Sequence, residues 1–164
     1  MMKRKKAFLL AEETVKIVIA LIVIGFLIFL LTSLYYSRLE AQKLKQANEI
    51  LLNSTVGSLR QKISELPIGQ SINFALNNPT GWYFFTYANT APPTKCGGQT
   101  CVCICDETWF ESSQAGECHK NGACLITKLQ SREEEGELKM YISSSSYIKV
   151  SKNEAGFIKV EEVK

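Results

Sequence analysis

Ile17-Val18-Ile19-Ala20-Leu21-Ile22-Val23-Ile24-Gly25-Phe26-Leu27-Ile28-Phe29-Leu30-Leu31-Thr32-Ser33-Leu34-Tyr35-Tyr36-Ser37 decides how this chain is organised. These 21 consecutive residues carry no charge, and most are Ile, Leu, Val or Phe. As a helix the stretch is about 30 Å long, the thickness of a bilayer's hydrocarbon core. The whole chain of 164 residues is 46% apolar and 21% charged, so its apolar content is ordinary on average and concentrated in one place. That distribution excludes a simple soluble globular protein. With one His and no nucleotide-binding or hydrolase motif, neither an enzyme nor a bound cofactor is expected.

Charge orients the segment. The net charge is +3, and Lys3, Arg4, Lys5 and Lys6 account for it; from residue 7 onward 15 Lys and Arg face 16 Asp and Glu. A basic cluster at one end of an apolar segment tends to stay in the cytoplasm. Beyond the segment the first charge is Arg38, in a stretch of mixed sign. The expectation is a single-pass protein of the cell membrane, its N-terminus cytoplasmic and its C-terminal part extracytoplasmic. No basic surface follows the N-terminal cluster, so nucleic acid is not an expected partner; the lipid bilayer is. A secretory signal fits poorly, because the run exceeds the usual 7–15 residues or so and leads into Tyr35-Tyr36-Ser37-Arg38 without a small-x-small site. No Cys lies near it, which excludes lipoprotein processing.

Six cysteines agree with that orientation. Cys96, Cys101, Cys103, Cys105, Cys118 and Cys124 fall within 29 residues. An even number in a small extracytoplasmic domain reads as a disulfide framework. Zinc sites usually come as paired Cys-x-x-Cys units, which are absent, so no metal site is expected.

The N-terminus reads Lys3-Arg4-Lys5-Lys6-Ala7-Phe8-Leu9-Leu10-Ala11-Glu12-Glu13, then Thr14-Val15-Lys16 and the apolar run. This resembles the class III signal of type IV pilins, pseudopilins and archaeal pilin-like proteins. In that family a short basic leader ends in Gly or Ala, often before Phe. Glu is the fifth residue after the cut, and a hydrophobic helix follows that is not removed. The resemblance implies cleavage between Ala7 and Phe8 by a prepilin peptidase and retention of the apolar helix. It further implies surface display or assembly with other pilin-like subunits, Glu12 pairing with the new amino terminus of a neighbour. Physical chemistry sets its own limit on Glu12. A carboxylate deep in a bilayer costs about 2.5–3.5 kcal/mol or more, so it belongs near the headgroups or beside a cation. Lys16 is i,i+4 from Glu12 and i,i+3 from Glu13. The alternative is an uncleaved bitopic anchor that presents a disulfide-rich binding module.

Past Ser37 the period is helical through Leu66. Leu39, Leu44, Ala47, Leu51, Leu52, Val56, Leu59, Ile63 and Leu66 form one apolar stripe, and Pro67 stops it. Asn53-Ser54-Thr55-Val56-Gly57 is the weakest stretch by propensity, where the helix can bend. The organisation expected is a leader at 1–7, a transmembrane helix at 8–37, an amphipathic extracytoplasmic helix at 38–66 and a disulfide-rich β domain at 67–164. The fold class is α+β. Asn53-Ser54-Thr55 is also an acceptor sequon for N-glycosylation, whereas Asn78-Pro79-Thr80 is blocked by proline.

From residue 67 the period becomes 2. Strands are expected over 81–87, 100–105, 138–142, 147–150 and 157–160, the last two joined through Asn153-Glu154-Ala155-Gly156, in one small antiparallel sheet. Asn121-Gly122 signals a two-residue hairpin between Cys118 and Cys124. Cys101, Cys103 and Cys105 point to one face of their strand, at least about 6.5 Å apart with parallel side chains, too far to pair comfortably. Each then takes a partner from Cys96, Cys118 and Cys124, which leaves six connectivities. Nested pairing favours Cys105–Cys118 inside Cys103–Cys124 with Cys96–Cys101 beside them, one choice of the six. His119 reads as a surface histidine rather than half of a Cys–His pair. Trp82, Tyr83, Phe84 and Phe85 read as core under the helix rather than as a ligand-binding patch.

Overall fold

The computed structural model describes residues 3–53, 57–88, 92–106, 118, 121–130 and 138–163, with side chains from Thr14 onward. The fold is α+β: helices α1 (Lys3–Leu51) and α2 (Leu59–Glu65), then seven strands. The chain divides into two compact units, Met1–Glu40 and Ala41–Lys164, and the division falls within α1.

In the first unit the uncharged run from Ile17 to Ser37 is uncovered. Val15, Ile17 to Ile19, Leu21 to Ile24 and Phe26 to Leu31 are all exposed. Nothing within 4 Å would meet a Cβ placed on Gly25. Thr32 returns its hydroxyl to the helix, donating to the carbonyl oxygens of Ile28 (3.0 Å) and Phe29 (2.9 Å). That hydroxyl is thereby satisfied without water.

The second unit begins on the last turns of α1, where burial appears at Ala47 and Leu51. Instead of running on to Leu66, the helix is interrupted. Leu52 and Asn53 donate from their backbone N–H groups to the Asn48 carbonyl, and α2 starts afresh at Leu59. Gly57 has φ +112°, a conformation a side chain would resist, and Ser58 is an extended N-cap whose hydroxyl accepts from the Gln61 N–H at 3.3 Å. The Gln61 side chain reaches back and accepts from the Gly57 N–H at 3.1 Å. This is a Ser-x-x-Gln capping box displaced by one residue, and it gives α2 its own start. The stripe survives the break, since Leu59 and Leu66 are buried; Val56 lies outside the described residues.

Two antiparallel sheets replace the single one expected. The first has order β1-β6-β7, from β1 (Ser71–Ala75), β6 (Tyr147–Lys152) and β7 (Ile158–Val163). The second has order β4-β3-β2-β5, from β2 (Tyr83–Tyr87), β3 (Cys101–Cys105), β4 (Gly122–Ile126) and β5 (Lys139–Tyr141). Just past β4, Leu129 bridges to Ile158 of β7 in parallel and links the sheets. The Asn153-to-Gly156 turn closes the β6–β7 hairpin, with Gly156 at φ +80° and the Phe157 N–H donating to Asn153 Oδ1 at 2.8 Å.

Alternation sorts β2 and β3 between two layers. Phe84, Val102 and Ile104 face an apolar core shared with Ala47, Leu51, Leu59 and Leu66 and with Ile148, Val150, Ile158 and Val160 of the other sheet. Phe85, Tyr87, Cys101, Cys103 and Cys105 face the opposite way and form a second cluster with Cys96 and Cys118. The aromatic run is thus split: Trp82 and Phe84 are core, as expected, while Phe85 and the half-buried Tyr83 belong to the cysteine face. Full burial of a Leu or Phe side chain contributes about 1.5–3 kcal/mol, so both layers matter in a domain this small.

Candidate functional site

The cysteine face is the best-defined constellation in the second unit, and β-sheet register builds it. Three of the β2 rings stand opposite the three β3 cysteines: Tyr83 opposite Cys105, Phe85 opposite Cys103, Tyr87 opposite Cys101. On the other side of β3, Cys103 is opposite Cys124 and Cys105 is opposite Gly122. All six cysteines are paired, as Cys96–Cys101, Cys103–Cys124 and Cys105–Cys118, with Cα separations of 6.1, 4.1 and 5.3 Å. The nested pairing is therefore the one adopted among the six.

Register explains the choice. Cys103 and Cys124 share a face at directly opposed positions, the closest approach two strands offer. Cys105 has only a glycine opposite. A Cβ on Gly122 would come within 2.8 Å of Cys105 Sγ and 2.9 Å of the Ile104 carbonyl oxygen. Gly122 is the first residue of β4 and does not have positive φ. Its glycine therefore serves close packing; in the expected two-residue hairpin the turn that Asn-Gly favours, type I′, would need positive φ at that position. The strand that pairs with β4 is β3, and His119 and Lys120 of the expected hairpin lie outside the described residues.

Aromatic rings line the face in sequence. Tyr87 and Phe85 stack with centroids 6.0 Å apart, Phe85 and Tyr83 are at 6.1 Å, and Tyr83 meets Tyr141 edge-on at 5.3 Å. The Lys139 ammonium lies 5.0 Å from the Tyr83 ring and 5.7 Å from that of Phe85. Tyr87 donates its hydroxyl to Cys118 Sγ at 3.6 Å. Lys95, in the short 3-10 turn Thr94–Cys96, donates from Nζ to the Gly122 carbonyl at 2.7 Å, and burial lowers its pKa from the ordinary lysine value.

What this face can do chemically follows from its oxidation. Two triplets, Cys96-Cys103-Cys124 and Cys103-Cys105-Cys118, have sulfurs within 4.8 Å of one another, a spacing that suits a thiophilic metal. As disulfides those sulfurs are not thiolates, and the thiolate is both the metal ligand and the nucleophile. Cys118 is spent in the same way, so it is no free partner for an imidazole.

The other expected site residues lie on α1 or at its end. Ala7, Phe8 and Glu12 fall within the Lys3–Leu51 helix, and their side chains are outside the described residues. Asn53 is exposed just past the helix end, and Ser54 and Thr55 are outside the described residues. α1 also carries the one helix, among the described residues, long and apolar enough to cross a membrane. It has the length and composition of a membrane anchor, and the cystine-rich unit has the chemistry of an extracellular domain. No protein-family profile, no curated protein and no solved structure matches the chain.

Proposed function

We propose that this is a pilin-like, single-pass membrane protein, processed at its N-terminus and displayed or assembled at the cell surface. A prepilin peptidase removes Met1 to Ala7, the apolar helix holds the mature chain in the bilayer, and the cystine-stapled unit stands outside. Glu12 pairs with the Phe8 amino terminus of a neighbouring subunit.

The observation that carries the proposal is one register at the N-terminus. The basic cluster, the Ala7-Phe8 junction, Glu12 five residues past the junction and the uncharged run from Ile17 occur in the order and spacing this signal requires. An α1 that runs unbroken from Lys3 to Leu51 supports it, since the helix must survive removal of the leader. The exposure of the whole apolar run supports the bilayer as its solvent. Three disulfides favour the oxidising side of the membrane.

Mass spectrometry of the chain taken from native membranes tests this. The expected mature protein begins at Phe8 and carries a formal charge of −1, from 15 Lys and Arg against 16 Asp and Glu. An intact Met1 or Met2 terminus in cells that possess the peptidase refutes processing and leaves an uncleaved anchor presenting a disulfide-rich module.

A further inference from the structure

Asn53 sits just beyond the last turn of α1, exposed, and its side-chain amide has no hydrogen-bond partner among the described residues. Its backbone N–H donates to the Asn48 carbonyl at 3.1 Å, which anchors the residue. Asn53-Ser54-Thr55 is the chain's only Asn-x-Ser/Thr triplet without a central proline. Had the helix run on through this point, the acceptor amide would lie on a closed helical surface. The break between α1 and α2 puts it at a helix end instead.

A second feature meets it there. An open groove of about 620 Å³ runs back from Asn53 along α1. Ala41, Leu44 and Leu52 supply apolar surface, and Lys45, Asn48 and Glu49 supply polar groups beside it. Asn48 Nδ2 donates to the Leu44 carbonyl at 3.0 Å, which leaves its side-chain oxygen as an acceptor. Lys45 and Glu49 form only a long 3.9 Å ion pair, their side chains 79% and 50% exposed, so both retain capacity for hydroxyl groups. At helical spacing Leu44, Asn48 and Leu52 form one row and Ala41, Lys45 and Glu49 the next, so apolar surface lies beside donors and acceptors, as suits a pyranose, which presents a C–H face and a rim of hydroxyls. The acceptor amide lies at the groove's end, so a sugar attached there needs no reach to enter it.

We infer that Asn53 is an N-glycosylation site and that the first sugars of its glycan lie in this groove. The inference rests on the orientation proposed above, because the acceptor must face the transferase outside the cytoplasm. In the transfer, Asn53 Nδ2 bonds to the anomeric carbon of a sugar carried on a lipid phosphate or pyrophosphate. The anomeric carbon–oxygen bond to phosphate breaks, the lipid phosphate leaves with that electron pair, and the amide proton passes to a base of the transferase. No oxidation or reduction takes place.

The test uses the full chain with an Asn-Ala-Thr acceptor added after Lys164, in cells that glycosylate a control protein. Peptide mass spectrometry should find sugar on residues 46–60 and on the added acceptor. Ser54→Ala should keep the modification and Thr55→Ala should abolish it. A modified C-terminal acceptor with residues 46–60 bare overturns the inference and leaves the orientation standing. If both are bare, the orientation fails and the inference with it. Acetylation by an N-hydroxysuccinimide ester reads the groove. Relative to the exposed Lys62, Lys45 should react several-fold more slowly in the glycosylated chain than in Thr55→Ala, and equal rates would remove the sugars from the groove.

Discussion

Leu27 and Leu51 are the same residue on the same helix, yet only one has found protein to pack against. Leu27 is 52% exposed in a unit where no described apolar side chain is fully buried, and Leu51 is 0% exposed in a unit with two buried clusters. The contrast separates two ways of removing apolar surface from water. The second unit folds its surface onto itself, with a cystine layer behind one sheet. The first unit presents a continuous apolar exterior that a bilayer can solvate, and its backbone polar groups are satisfied within the helix. Exposure of a large hydrophobic thus has opposite meanings in the two units, and substitutions should tell them apart.

The largest effect should come from reduction, which acts on the second unit alone. Each native disulfide in a small domain is worth about 2–5 kcal/mol, against a total stability of roughly 5–15 kcal/mol. Reducing all three should unfold Ala41–Lys164 or lower its melting temperature by tens of degrees, while helical signal from the apolar segment persists in detergent. Thiol counting under denaturing, non-reducing conditions checks the premise; three or more free thiols per chain would sink it.

The leucine pair is next. Leu51→Ala should cost about 2–5 kcal/mol through lost transfer energy and the cavity left behind, measured as a fall in the urea midpoint of the full chain in detergent. Leu27→Ala should leave that midpoint unchanged. A matching fall for both would mean that Leu27 is packed against protein after all.

Reversing the chemistry probes the first unit. Leu27→Arg should weaken membrane insertion by about 2.5–3.5 kcal/mol, read as loss of the chain from the carbonate-resistant membrane fraction. The melting temperature of the second unit should not move. Unchanged partitioning would argue against this segment as the anchor.

The smallest effect tests the junction between the helices. Ser58→Ala removes the acceptor for the Gln61 N–H and should cost about 0.5–2 kcal/mol. Ser58→Asp, which keeps an acceptor, should restore most of the loss in the urea midpoint. Equal loss in both variants would show that burial of Ser58, rather than capping, sets the cost.

Much of this was legible because it depends on residues close in the chain. The strands after residue 80 announce themselves by period 2 and by the turns between them. The Ser58-x-x-Gln61 start of α2 was equally present in the sequence, but the unbroken apolar stripe concealed it: Leu59, Ile63 and Leu66 keep helical spacing across the break. β1 gave little signal, because only Phe74 of Ser71–Ala75 is buried and the strand lies at an edge. Asn121-Gly122 gave a misleading one, since a glycine required by close approach to Cys105 looks identical to one required by a turn.

By itself the sequence determined an apolar helix of membrane length, an α+β class, and three cysteines on one strand face that are poorly placed to pair with each other. These follow from composition and from the fixed periods of helix and strand, which need no partner to be read. The tertiary structure alone decided that two sheets form, that α1 and α2 bury their stripe on a shared core, and which of six cystine patterns is made. Those choices depend on the register between strands distant in sequence. Register is set by what each face can bury: β3 settles where Val102 and Ile104 reach the core, and Cys103 then has Cys124 opposite it.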